Sequence, residues 1–114
     1  MRISDPVQKV VLHKLFYDVV GRTQDGEPVH EPKQFAIEQL LDAASAAKKL
    51  VQGSTQNGGF ISYSDEEITF TPAEVTILKG LFDGVKEWGV GVADAVLQLQ
   101  AIFQGKEGGE VTGA

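Results

Sequence analysis

The chain has 114 residues, no cysteine and a formal net charge of −6. That length suits one domain, and an apolar content of 42% is enough for a core. The lack of cysteine excludes a disulfide framework and a thiolate metal site. Two histidines leave little for a zinc or iron centre, and the acidic balance argues against direct nucleic-acid binding, which needs clustered Lys and Arg.

Met1-Arg2-Ile3-Ser4-Asp5-Pro6 lacks the continuous apolar run of a secretory leader. No stretch reaches the roughly 18 apolar residues of a membrane span. The most apolar window, Val90–Phe103, is interrupted by Asp94, Gln98 and Gln100. The expectation is a soluble cytoplasmic protein with no membrane partner.

A first helix is expected from Pro6 to about Val20. Asp5 is a good N-cap, Pro6 suits the first helical position, Gln8 can complete a capping box, and Gly21 is a natural stop. At about 100° per residue, Val11, Leu12, Leu15, Phe16, Val19 and Val20 cover nearly half the circumference. An arc that wide is flanked on two sides, or part of it meets another chain. Arg22–Glu31 reads as a polar connector with a turn at Asp25-Gly26, restrained by Pro28 and Pro32.

A second helix is expected from Pro32 to Gln52, stopped by Gly53. Ala36, Ile37, Leu40, Leu41, Ala44, Ala47 and Val51 form its apolar stripe. Its centre is rich in alanine, which lets a neighbour approach closely. After the break at Asn57-Gly58-Gly59 the period changes to two. Phe60–Ser64 and Ile68–Phe70 read as the strands of a small hairpin, with Asp65-Glu66-Glu67 as its acidic turn. Either Ile61 and Tyr63 or Phe60 supply its inward set.

Thr71-Pro72-Ala73-Glu74 is a capping box that opens a third helix, lined by Val75, Ile77, Leu78, Leu81, Phe82 and Val85 and extended by Trp88. Gly80 and Gly84 stand four apart on another face. They permit either close packing inside the domain or a shallow groove for a partner's side chains. Trp88-Gly89-Val90-Gly91 is a junction into a fourth helix, Val92–Gln104, with Val92, Val96, Leu99 and Phe103 as its seam. Residues 105–114 read as a flexible Gly-rich tail.

The fold expected is mainly α, a single domain over residues 1–104, with four helices in two antiparallel pairs and one two-stranded hairpin between them. Its core should hold Val11, Leu15, Val19, Ile37, Leu40, Leu41, Ala44, Leu78, Leu81, Phe82, Val85, Val96, Leu99 and Phe103.

Reactive constellations are scarce. His13 and His30 lie on different elements without ligand partners at helical spacing. Asp65-Glu66-Glu67 lacks the alternating ligands and central glycine of a calcium loop. Gly89-Val90-Gly91 follows a helix rather than a strand and reads as an elbow, not a phosphate cradle. There is no Gly-x-Ser-x-Gly. No catalytic residue, metal, cofactor or small-molecule substrate is therefore expected.

Residues Phe60–Phe103 resemble small accessory proteins of tailed bacteriophages. The shared features are a short strand pair, Ile68-Thr69-Phe70-Thr71-Pro72-Ala73-Glu74, a helix ending near Trp88, and Val92-Ala93-Asp94-Ala95-Val96-Leu97-Gln98-Leu99. The resemblance implies a non-catalytic protein in an infected bacterial cytoplasm or a virion.

The leading expectation is a protein–protein interaction module, acting as a homo-oligomer or on a larger protein partner. The candidate contact residues are Asp65, Glu66, Glu67, Gly80, Asp83, Gly84, Glu87 and Trp88. One alternative is an acidic regulator or inhibitor of a basic, nucleic-acid-binding host protein. Residues 58–114 carry the whole net charge of −6, and Asp94 joins the candidates for that role. The other alternative is a small carboxylate-using enzyme, which would need two acids facing each other in a cleft.

Overall fold

The computed structural model describes residues 1–105. Within them the chain runs β1 (Arg2–Ile3), α1 (Pro6–Lys14), β2 (Tyr17–Arg22), β3 (Pro28–Pro32), α2 (Ile37–Leu50), β4 (Thr55–Asn57), β5 (Phe60–Ser62), β6 (Ile68–Thr69) and α3 (Pro72–Asp83). A 3-10 turn (Val90–Val92) then leads into α4 (Ala93–Phe103). The strands form three separate antiparallel pairs, β1–β6, β2–β3 and β4–β5. With strand at 20% in three small sheets, the fold is a mixed α/β one. The expected mainly α bundle with a single hairpin is not what forms. The expected tail lies, beyond Gly105, outside the described residues.

The capping signals act where the sequence placed them. Asp5 accepts from the Val7 amide at 2.8 Å and starts α1. Gln8 does not complete a box there; it is buried, and its amide donates to Gln98 Oε1 at 2.7 Å, tying α1 to α4. Both bonds of the Thr71–Glu74 box are present, at 3.2 and 2.8 Å.

α1 ends six residues earlier than its apolar arc suggests. Tyr17–Arg22 leaves the helix and pairs with Pro28–Pro32, so the connector is a hairpin. Two physical causes act together. Adjacent β-branched Val19 and Val20 favour strand over helix, and Asp25-Gly26 supplies the turn. Gly26 has φ +84°, and its amide donates to the Thr23 carbonyl at 3.0 Å. Gly21 stops nothing; it follows a break in the β2–β3 register. Every residue of both strands is exposed, so the hairpin stands off the body as an arm. The molecule measures 49 × 33 × 29 Å, with a radius of gyration of 14.5 Å, against about 13 Å for a compact domain of this length.

The acidic segment is likewise not a hairpin turn. β5 pairs with β4 across Gly58-Gly59, while β6 pairs with β1, Ile3 lying opposite Ile68 and Arg2 opposite Thr69. The Phe70 amide extends that closure with a 2.9 Å bond to the Met1 carbonyl.

The core is built from Ile3, Val11, Leu12, Leu15, Phe16, Ala43, Ala46, Leu50, Ile68, Phe70, Ile77, Leu78, Phe82, Ala95, Val96 and Leu99. Leu12, Leu50, Leu78 and Leu99 are fully buried, each stabilising by about 2 kcal/mol relative to exposure. Leu81, Val85, Trp88 and Phe103 flank this core half-buried. α2 packs on α3 and α1, and α1 packs on α4.

α2 corrects the expected core most sharply. It begins at Ile37 rather than Pro32. It buries Ala43, Ala46 and Leu50, while Ile37, Leu40, Leu41 and Ala44 face outward. The two sets lie about 140° apart on the helix. Ala43 and Ala46 face inward, where their small side chains let α2 approach its neighbours closely. Val19, expected inside, is 57% exposed on the arm.

Candidate functional site

The candidate contact residues fall into two groups held by different neighbours. The first is the segment that carries Asp65, Glu66 and Glu67, all exposed. It is pinned from beneath by Lys9, whose side chain is fully buried although it carries an ammonium group. Nζ donates to the Ser64 carbonyl at 2.7 Å, to Ser64 Oγ at 3.2 Å and to the Glu66 carbonyl at 2.7 Å. Ser64 Oγ in turn donates to the Gln52 carbonyl at 2.7 Å. The Glu66 carboxylate rests against Gly53, where φ is +72° and a Cβ would fall 1.5 Å from Oε2.

A lysine beside a serine is a pairing used for nucleophilic catalysis. The bonds here describe something else. All three ammonium donors are spent on acceptors, and the Ser64 proton is committed to a carbonyl. Lys9 is a strut. Its position is legible, because it shares the helix face of Leu12 and Phe16, three and seven residues on.

The second group lies at the end of α3. Gly80, Gly84, Leu81 and Val85 form one side of a hollow of about 330 Å³, and Leu15, Tyr17 and Val19 form the other. Asp18 and Lys33, an ion pair, also line it. Nothing beyond α3 itself lies within 4 Å of where a Cβ on Gly80 or Gly84 would sit. Of the two readings of this glycine pair, the geometry is that of an open groove. Asp83 is paired with Lys79 at 3.1 Å on the exposed side of α3, and Glu87 is exposed. Trp88 is turned inward. Its ring lies 5.2 Å from Phe82, which lies 5.2 Å from Phe103.

A third surface escaped the candidate set. Ile37 and Leu41 are 84% and 80% exposed, and Leu40 is 51% exposed. Beside them is a shallow hollow of about 450 Å³ lined by Leu41, Ala44, Ser45, Lys48, Lys49 and Gln52. The signal that could have found it is the second, smaller stripe of Ala43, Ala46 and Leu50. One helix cannot bury two stripes against the same neighbours.

Two ionisable pairs shape the interior. Glu74 is buried and accepts from Lys49 Nζ at 2.6 Å and from the Thr71 amide. Burial opposes its charge, but the hydrogen bonds from Lys49, Ser45 and Thr71 outweigh it and hold the carboxyl below the usual range. His13 Nδ1 lies 2.7 Å from the Tyr63 hydroxyl, and burial lowers the imidazole pKa. Burial, reinforced by Tyr17, raises the pKa of Tyr63.

Neither hollow brings two carboxylates together. Among the described residues, no group of three or more His, Asp or Glu is placed to hold a metal ion, and no helix is long and apolar enough to cross a membrane. Comparison with protein-family models, with curated proteins and with solved structures finds no match to this chain.

Proposed function

We propose that this chain is a non-catalytic protein–protein interaction module that works by docking. The observation that carries the reading is the outward stripe of α2. Ile37, Leu40 and Leu41 face solvent, while Ala43, Ala46 and Leu50 are buried on the other side of the helix. Contiguous exposed apolar surface of this kind marks interaction sites. The arm supports the same reading, since an isolated two-stranded hairpin is marginal in water and gains from being covered. The setting that belongs to this proposal is the cytoplasm of an infected bacterium, or a phage particle during assembly.

The test uses paired baits, the natural chain and an Ile37→Glu/Leu41→Glu variant, with circular dichroism to confirm equal helicity. Docking predicts that the natural bait captures itself or a defined protein from the cognate cell extract and that the variant does not. A chain that remains monomeric and captures the same material with either bait refutes the reading.

A further inference from the structure

We propose that the outward face of α2 is the seam of a homodimer, with two copies of the helix lying antiparallel across a twofold axis near Ala44. The inference rests on the docking reading above and names its partner as a second copy of this chain.

Ile37, Leu40, Leu41 and Ala44 recur at the spacing of one helix face. All four are exposed. Ala44 stands between the larger side chains and Lys48, and a small residue at a crossing lets two helices approach to about 8–10 Å.

The order of charge along α2 selects the partner and the direction. Glu38 and Asp42 lie in its first half, and Lys48 and Lys49 in its last turns. In an antiparallel pair Glu38, flanking the start of the stripe, meets the other copy's Lys48, and the helix dipoles oppose, whereas Asp42 turns about 160° from Ala44 and stays outside the seam. In a parallel pair like would meet like. A twofold interface requires one patch to be its own complement, and this sequence of charge meets that requirement in one orientation. Lys49 is already engaged by Glu74 and the Thr69 carbonyl. Exposed Lys48 therefore borders the seam and reaches toward the Glu38 end of the opposite helix.

The area sets the strength. The stripe offers on the order of 400 Å² per copy, the size of patch that marks docking sites, but about half of the roughly 800 Å² that each partner buries in a standard stable interface. The dimer is accordingly reversible, and concentration decides how much of it forms.

Sedimentation velocity on the full chain, from micromolar to millimolar concentration, reads this directly. The mass should rise from 12.3 kDa toward twice that value. Leu41→Glu should hold it at the monomer with unchanged helicity. Lys48→Glu should weaken association several-fold, and Glu38→Lys added to it should restore association, which a parallel pair would not show. A chain monomeric throughout, or a dimer indifferent to Leu41→Glu, overturns the proposal. If it stays monomeric while the paired baits still differ, the second copy is overturned and the docking reading stands.

Discussion

Removing the Lys9 ammonium tests whether a buried charge holds the acidic segment in place. Lys9→Met keeps most of the apolar stem and deletes three donors, at 2.7, 3.2 and 2.7 Å. Bonds to a charged donor contribute roughly 1.5–3 kcal/mol each, but burying the ammonium costs several kcal/mol. Ser64 is half-buried and Glu66 exposed, so their carbonyls regain water in part. The balance is a loss of about 2 kcal/mol for Lys9→Met. Lys9→Ala also removes about three methylenes at roughly 0.8 kcal/mol each, so its loss should reach about 4 kcal/mol. Urea unfolding with linear extrapolation measures both, and the methionine variant should melt about 10 °C lower. Hydrogen exchange should quicken across residues 52–66, because Ser64 links the strut to the Gln52 carbonyl. If Lys9→Met unfolds within about 0.5 kcal/mol of the natural chain, the ordinary scatter of neutral substitutions, the strut is not structural and the bond accounting is wrong.

Gly80→Ala should stabilise by up to about 1 kcal/mol, since alanine is the better helix former and the space above Gly80 is open; thermal melting checks it, and a loss would mean that a neighbour occupies the groove. Gly53→Ala should destabilise by at least about 1–2 kcal/mol from the left-handed backbone alone, and more from the clash with Glu66. Adding Glu66→Ala should recover only the clash, a double-mutant cycle that chemical denaturation can close. Acid should destabilise through two groups. The Glu74 carboxyl is lowered by folding, so its contribution is complete above the unfolded value near 4.3 and is lost as pH falls through the folded one. The His13 pKa is also lowered. The unfolded chain therefore takes up that proton first, and stability falls as pH drops below about 6.5. Stability curves for Glu74→Gln and His13→Gln should each flatten in their own window.

What could be read in advance was local chemistry. Asp5, and the box from Thr71 to Glu74, show in the sequence because a cap needs only a few adjacent residues. The arm was hidden because Val19 and Val20 satisfy a helical stripe with Leu12 and Phe16 as well as they suit a strand. What decides is a partner ten residues on, at Pro28–Pro32, whose prolines fit the ends of an edge strand. β1 has two residues, too few to show any period. On α2 the amphipathic pattern was legible but its direction was not: a stripe marks which residues avoid water, not whether this chain or another one covers them. For the same reason Gly80 and Gly84 could be seen as a close-approach motif, whereas the hollow facing them depends on where the arm lies.

Because residues 2 and 3 take their partners from 68 and 69, β1 cannot pair during synthesis until β6, about 65 positions further along, has been made. α1, α2 and both local hairpins between those points can form during that delay, so the β1–β6 clasp is a late event with a large loop to close. An affinity tag fused at Met1 would sit beside that clasp, where the Met1 carbonyl accepts from Phe70, and would burden the step that completes the core around Ile3.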